Sequence, residues 1–203
     1  MSRTLIQLNL ATRPYHAEAD QAWLELMGPR VHRSRYLALL IRVYGFEAPL
    51  DSAFRYTPEL SSLIDLHSRP RTGLLAQDLM RLGLPASELA QLPQRFATFA
   101  SPAEALGWMY VIERATLLHG GVRRHLLLRF PELVGATSYL EAYDGVTSLR
   151  WSELGSAFDS IAHAPSVTRQ IIRSATDGFR AMREWFQDLV TGRTPPQGLP
   201  MVT

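Results

Sequence analysis

Apolar residues along the chain recur mostly at spacings of three and four, the signature of helices with one buried stripe. Between Ser34 and Phe54 that stripe is Tyr36, Leu39, Leu40, Val43, Phe46, Leu50 and Phe54. A helix is predicted there, kinked where Pro49 removes a backbone donor. A short helix is predicted from Thr72 to Leu82, stopped by Gly83 and Pro85. Ser101-Pro102-Ala103-Glu104 is a start signal, with serine as N-cap, proline in the first turn and glutamate placed to close a capping box. The helix it opens runs through Trp108 and Tyr110 to about Phe130. Ser166 opens the last long helix, with Val167, Ile171, Ala175, Met182, Trp185 and Leu189 on one face. Alternation of period two, which half-buried strands require, is almost absent. The pattern predicts one all-α domain of seven or eight helices over residues 1–190. Residues 191–203, TGRTPPQGLPMVT, combine adjacent prolines, glycines and no apolar period, and are expected to form a flexible C-terminal tail.

Composition narrows the chemistry more than the fold. With 203 residues, 46% apolar and 20% charged, the chain has the makings of a sizeable core. It has no cysteine, which excludes disulfides, thiolate metal sites, iron–sulfur clusters and cysteine nucleophiles. It has no lysine either: all 21 basic residues are arginine, so a P-loop lysine and Schiff-base chemistry are excluded. Arginine also explains a pI of 9.2 beside a net charge of only +2, because nothing removes the excess charge until tyrosines titrate. So small a charge argues against a nucleic-acid partner. No window has the apolar length of a membrane span, and Met1 to Leu10 lacks a signal-peptide core. A cytoplasmic location without a membrane partner is expected.

Common catalytic templates are missing. There is no E-x-x-H pair, no G-x-S-x-G elbow, no G-x-G-x-x-G loop and no H-x-x-x-H pair among His16, His32, His67, His119, His125 and His163. His16 lies in Ala11-Thr-Arg-Pro-Tyr-His16-Ala-Glu-Ala-Asp20, with Asp20 one helical turn on and Arg13 about one turn back. A single neutral histidine suffices as axial ligand to a haem iron, and an arginine beside it can pair a propionate. The same spacing also suits a surface histidine on an amphipathic helix.

Further motifs share an order with a known family. The Ala-Thr-x-x-x-His-x-x-x-acid segment resembles the proximal-helix motif of haem oxygenases. Arg71-Thr-Gly-Leu-Leu-Ala-Gln-Asp78-Leu-Met-Arg-Leu-Gly83 resembles the family's short D-L-x-x-L-G helix. Ala105-Leu-Gly-Trp-Met-Tyr-Val-Ile-Glu113 resembles the start of its distal helix, and Arg124-His125-Leu126 a later part. Phe179 with Trp185-Phe186 resembles its last helix. The resemblance covers about Leu8 to Leu189 and is closest to the bacterial branch associated with bacteriophytochromes. It implies an all-α fold holding haem, both cofactor and substrate, between a proximal and a distal helix. The implied reaction cleaves haem to biliverdin, carbon monoxide and ferrous iron, with O2 and electrons from a donor such as ferredoxin or a reductase. The implied iron ligand is His16; Arg13, Asp20, Tyr110, Arg150 and Phe179 are the implied remainder of the haem site.

The distal segment departs from the family. After the glutamate, relatives continue roughly G-S-x-L-G-G, where glycines let the backbone approach the macrocycle. An ungapped match puts Arg114, Ala115, Thr116, Leu117, Leu118 and His119 there, with Gly120 and Gly121 two residues late. On that match Arg114 and Leu118 project where the family has no side chain, and Ala115 brings no polar group, so no residue is assigned as catalytic. The family's arginine after a tryptophan is also absent, since the chain reads Leu149-Arg150-Trp151-Ser152, and Arg150 is its implied replacement. Two further expectations stand beside haem degradation. One is a haem-binding or sensory relative without turnover. The other is an interaction protein that meets a partner through Arg30, Arg33 and Arg35 or through Arg123, Arg124 and Arg129.

Overall fold

Within the described residues the chain forms helices and connecting loops alone, as its periodicity predicts. The computed structural model describes residues 2–191, with side chains as far as Gln187. Residues 192–203 of the expected tail, and the side chain of Leu189, lie outside the described residues. The helices are α1 (Arg3–Glu25), α2 (Arg33–Tyr56), α3 (Leu60–Leu63), α4 (Thr72–Arg81), α5 (Ala86–Leu89), α6 (Pro102–Arg114), α7 (Thr116–Arg129), α8 (Ser138–Glu141), α9 (Thr147–Ile161) and α10 (Pro165–Thr191), with a 3-10 segment over Pro131–Ala136. Three of these ten, α3, α5 and α8, are four-residue turns, so seven longer helices carry the architecture.

The local signals explain where helices begin and end. Ser101 caps α6 by accepting from the Glu104 amide at 3.4 Å, and Glu104 accepts in return from the Ala100 amide at 2.9 Å, one residue earlier than a capping box requires. At the end of α4, Gly83 takes a left-handed φ of +102°. Its amide donates to Met80, and Leu84 donates back to Leu79, which together satisfy the last carbonyls of the helix. Helix α2 continues through Pro49 as one element.

The expected helix from Ser101 to Phe130 is divided instead. Ala115 ends α6 and begins α7. There the Leu118 amide turns to the Ala115 carbonyl at 3.0 Å, and the Thr116 hydroxyl donates to the Glu113 carbonyl at 2.6 Å. A side-chain donor and a tighter backbone bond replace the regular ladder without any glycine.

Packing is densest where α6 crosses α10. Gly107 makes that approach: a Cβ there would lie 2.8 Å from the Ile171 carbonyl oxygen and 2.9 Å from the Ala175 amide nitrogen, both backbone. Two apolar clusters result. One joins Leu8, Phe46, Leu106, Tyr110, Phe158 and Phe179; the other joins Trp23, Tyr36, Leu40, Leu79, Val122 and Tyr139. Helix α1 contributes to both, and its inner face carries His16 between them.

Candidate functional site

Helix α1 places Thr12, His16, Asp20 and Trp23 at intervals of three and four, along one inward stripe. The His16 Nε2 lies 3.0 Å from Thr12 Oγ1 and 3.4 Å from the Tyr110 hydroxyl of α6. Phe179 of α10 closes the group, its ring 5.7 Å from His16, 6.1 Å from Tyr110 and stacked on Tyr15 at 5.9 Å. Partial burial, then the positive charges of Arg114 and Arg13, hold the His16 imidazole down to about 4. It is therefore neutral near pH 7, with a lone pair available to a metal.

Beside it, Arg114 at the end of α6 donates to Asp20 Oδ2 at 2.7 Å, with the two side chains only 14% and 18% exposed. Burial pushes the Asp20 carboxyl up, against the pull of Arg114. One turn further along, His119 of α7 is buried with its ring centroid 4.9 Å from both Trp23 and Tyr139. Its Nε2 has no hydrogen-bond partner, and burial with Arg71 keeps it neutral. Of the side chains that the ungapped match put at the family's glycine-rich segment, Arg114 and His119 thus meet α1, at Asp20 and Trp23. Leu118 is partly buried in the second apolar cluster, while Gly120 is exposed with open space around it and Gly121 is exposed beside Met27.

An apolar crevice runs from this junction toward α2 and α10. Ala19, Trp23, Phe46, Glu47, Ala115 and Phe179 are among its walls, and it encloses about 40 Å³ of free space. Glu47 on its wall belongs to a buried polar group that no sequence motif announced. Its Oε1 accepts from the Tyr139 hydroxyl at 2.7 Å and its Oε2 from Arg71 at 3.3 Å. Arg71 also lies over the rings of Tyr139 and Tyr143, at 5.3 and 5.1 Å. Tyr143 donates to Glu113 at 2.7 Å, and Glu113 pairs with Arg69 at 3.2 Å. The signal available in the sequence was weak: Glu47 directly follows Phe46 of the apolar stripe on a helix that also carries Arg42 and Asp51.

The structure thus assembles His16, Asp20, Tyr110 and Phe179 in one place. Arg13 is exposed and acts on His16 electrostatically. Arg150 is not part of the group: its Nη1 donates to Ser68 at 2.6 Å and to Glu153 at 3.0 Å, and its neighbour Trp151 meets Tyr110 edge-on at 5.8 Å. The surface arginines named above are partly spoken for. Arg35 pairs with Glu25 at 2.5 Å, Arg123 with Glu141 at 3.0 Å, and Arg129 donates to the Pro29 carbonyl at 2.9 Å. Among the described residues there is no cluster of carboxylates and histidines that would hold a metal ion, and no helix long and apolar enough to cross a membrane.

Three comparisons with known proteins bear on this geometry. Residues 2–188 match the family model described as Heme oxygenase. A solved structure of the NO- and CO-bound heme oxygenase from Neisseria meningitidis aligns with a TM-score of 0.73, at 19% identity, over 98% of this chain and 98% of that one. No curated protein matches in sequence.

Proposed function

The chain belongs to the haem oxygenase family, and from that premise we propose that it binds haem through His16 and degrades it to biliverdin, carbon monoxide and ferrous iron. The observation that carries the proposal is the neutral imidazole of His16, set on α1 between Tyr110 and Phe179 and opposite the α6–α7 junction.

The donor set fits a histidine-ligated haem. Nitrogen Nε2 is held by Thr12 and Tyr110, at 3.0 and 3.4 Å, and these are bonds that an iron can replace. Phe179, with Ala19, Trp23, Phe46 and Ala115 of the crevice, offers an apolar wall for a macrocycle. Arg13, exposed one turn before His16, is the proposed partner of a propionate; Arg150 is occupied by Glu153 and Ser68 and is not given that role. When bound, haem supplies the iron at which O2 is reduced and the ring carbon that is oxidised. The protein's part is to ligate, orient and shield. The Arg114–Asp20 pair ties α1 to α6 beside His16 and must part for a haem to lie between them. Electrons come from an external donor of the ferredoxin or reductase class, and a bacteriophytochrome pathway is the proposed consumer of the biliverdin.

Hemin titration followed by aerobic reduction tests this. A Soret band that forms and then bleaches as a biliverdin absorbance grows is the expected result. A Soret band that persists would leave binding without degradation. No Soret shift at all would overturn the proposal.

A further inference from the structure

Several arginines of the surface are taken up by carboxylates of the same chain, but two on the last helix are not. Arg169 and Arg173 stand one turn apart on the first half of α10, both exposed, and meet no carboxylate among the described residues. They border a groove of about 1130 Å³ between α10 and the segment that joins α5 to α6. Of its apolar lining, Phe99 is buried, Trp108 and Ile172 are partly so, and Phe96 is 77% exposed. We propose that this groove is a docking site for an acidic, extended segment of another protein, lying along residues 96–99 with its carboxylates on Arg169 and Arg173.

The backbone on one side of the groove is unused. The Arg95 amide donates to the Gly45 carbonyl at 2.8 Å, and the Ala100 amide to Glu104 at 2.9 Å. Between these two anchors, among the described residues, the amides and carbonyls of Phe96, Ala97, Thr98 and Phe99 make no hydrogen bond. Exposure alternates along the segment as it does along a strand: Phe96, Thr98 and Ala100 are exposed, Ala97 is half-buried and Phe99 is buried. Phe99 is fixed by stacking on Phe54 at 5.4 Å and by the tilted ring of Trp108 at 5.7 Å. A row of unpaired amides and carbonyls, anchored at both ends, is a surface to which a partner's strand can add.

Charge selects the partner. Of the acids that line the groove, Glu104 is held by the Ala100 amide and by Gln170 at 3.3 Å, and Asp177 pairs with Arg180 at 3.3 Å. Arg95 meets the exposed Glu184 at 3.6 Å. Arg169 and Arg173 are left as a like-charge pair one turn apart, which is unfavourable to the helix and which an incoming carboxylate relieves. Guanidinium groups take carboxylates through two parallel bonds. Phe96, Phe99, Trp108 and Ile172 in turn call for apolar side chains between the acids, which a peptide carries and a polyphosphate chain lacks. The docking site is separate from the group around His16 and stands whether or not the chain degrades haem.

The test uses the whole chain and a fluorescein-labelled peptide, Glu-Val-Glu-Leu-Glu-Val-Glu. Its anisotropy is expected to rise saturably with protein, and its affinity to fall about tenfold between about 0.05 and about 0.5 M salt. The counterpart with lysine at every acidic position should not bind. R169E combined with R173E, at two exposed positions, should weaken binding of the acidic peptide by about tenfold. F96A should do so by a similar factor. If a variant fails to fold, the peptide itself decides the matter. Methylated at alternate backbone amides, in one register or the other, it loses the donors that pair with residues 96–99 and should bind about tenfold less tightly. Equal binding of the acidic and lysine peptides would overturn the inference. So would an unchanged affinity in the double arginine reversal, or a single-stranded oligonucleotide that binds more tightly than the acidic peptide.

Discussion

His16 and Glu47 sit in neighbouring parts of one molecule and are neutralised in opposite senses. His16 loses its proton early because burial and two arginines disfavour a cation. Glu47 keeps its proton late because burial and two carboxylates disfavour an anion. The surroundings differ as well. His16 is half-buried on a helix face, with one local partner four residues away and one from α6. Glu47 is buried and bound only by residues from other elements, Tyr139 of α8 and Arg71 before α4. The lesson is that a half-buried histidine can be set by its own helix and one neighbour, while a carboxyl held protonated toward neutral pH needs a whole core around it.

The comparison breaks most violently at Arg71. R71M leaves Glu47 and Glu113 buried with less cation between them, and the protein should lose about 3–5 kcal/mol in urea unfolding. Adding E47Q to R71M should recover part of that loss. If R71M is harmless, the buried group is not held by charge.

Stability against pH separates the two residues next. Glu47 binds a proton in the folded protein up to about 7 but in the unfolded chain only to 4.5. Its contribution is therefore full below pH 4.5 and is lost as pH rises through 7, by at most about 3 kcal/mol. His16 runs the other way. Its folded value of about 4 lies below 6.5, so its contribution is present above pH 6.5 and is lost as pH falls toward 4. Urea midpoints of the parent, E47Q and H16A between pH 4 and 8 should show E47Q more favoured at the alkaline end and H16A at the acid end, each relative to the parent.

Arg114 offers a sharper, smaller perturbation. R114A removes the 2.7 Å tie to Asp20 and should cost about 1 kcal/mol of stability, the pair being only partly buried. Hemin affinity should rise, by roughly tenfold if the tie must break on binding. An affinity that falls would make Arg114 a haem partner rather than a closure. H16A should disturb stability least, under about 1 kcal/mol, because alanine favours the helix and the site is half-exposed. It should nonetheless erase the histidine-ligated haem spectrum. Survival of that spectrum would transfer the ligand role to another histidine.

Much of the fold was legible because it is local. The stripe from Tyr36 to Phe54, the Ser101 cap and the Gly83 stop each act within a few residues, and the bounds of α2, the start of α6 and the end of α4 lie close to those signals. The start at Pro165 in place of Ser166 is a shift of one residue. The break at Ala115 was not legible, since Thr116 and Leu118 are unremarkable until their hydrogen bonds choose the Glu113 and Ala115 carbonyls. In the site, His16 with Asp20 followed from spacing and family resemblance. Arg150 pairs instead with Glu153, three residues on.

By itself, then, the sequence determined an all-helical chain of the haem oxygenase family, free of cysteine and lysine chemistry, with a histidine on its first long helix. Tertiary structure decided which way the side chains of facing helices point into one another. Arg114 reaches Asp20 across 94 residues, and Tyr139 reaches Glu47 across 92. Hydrophobic period fixes the buried face of each helix, but not the rotation and crossing of two helices that both bury such faces. Those two quantities place Arg114 and His119 against α1 and close a wall of charge around Glu47.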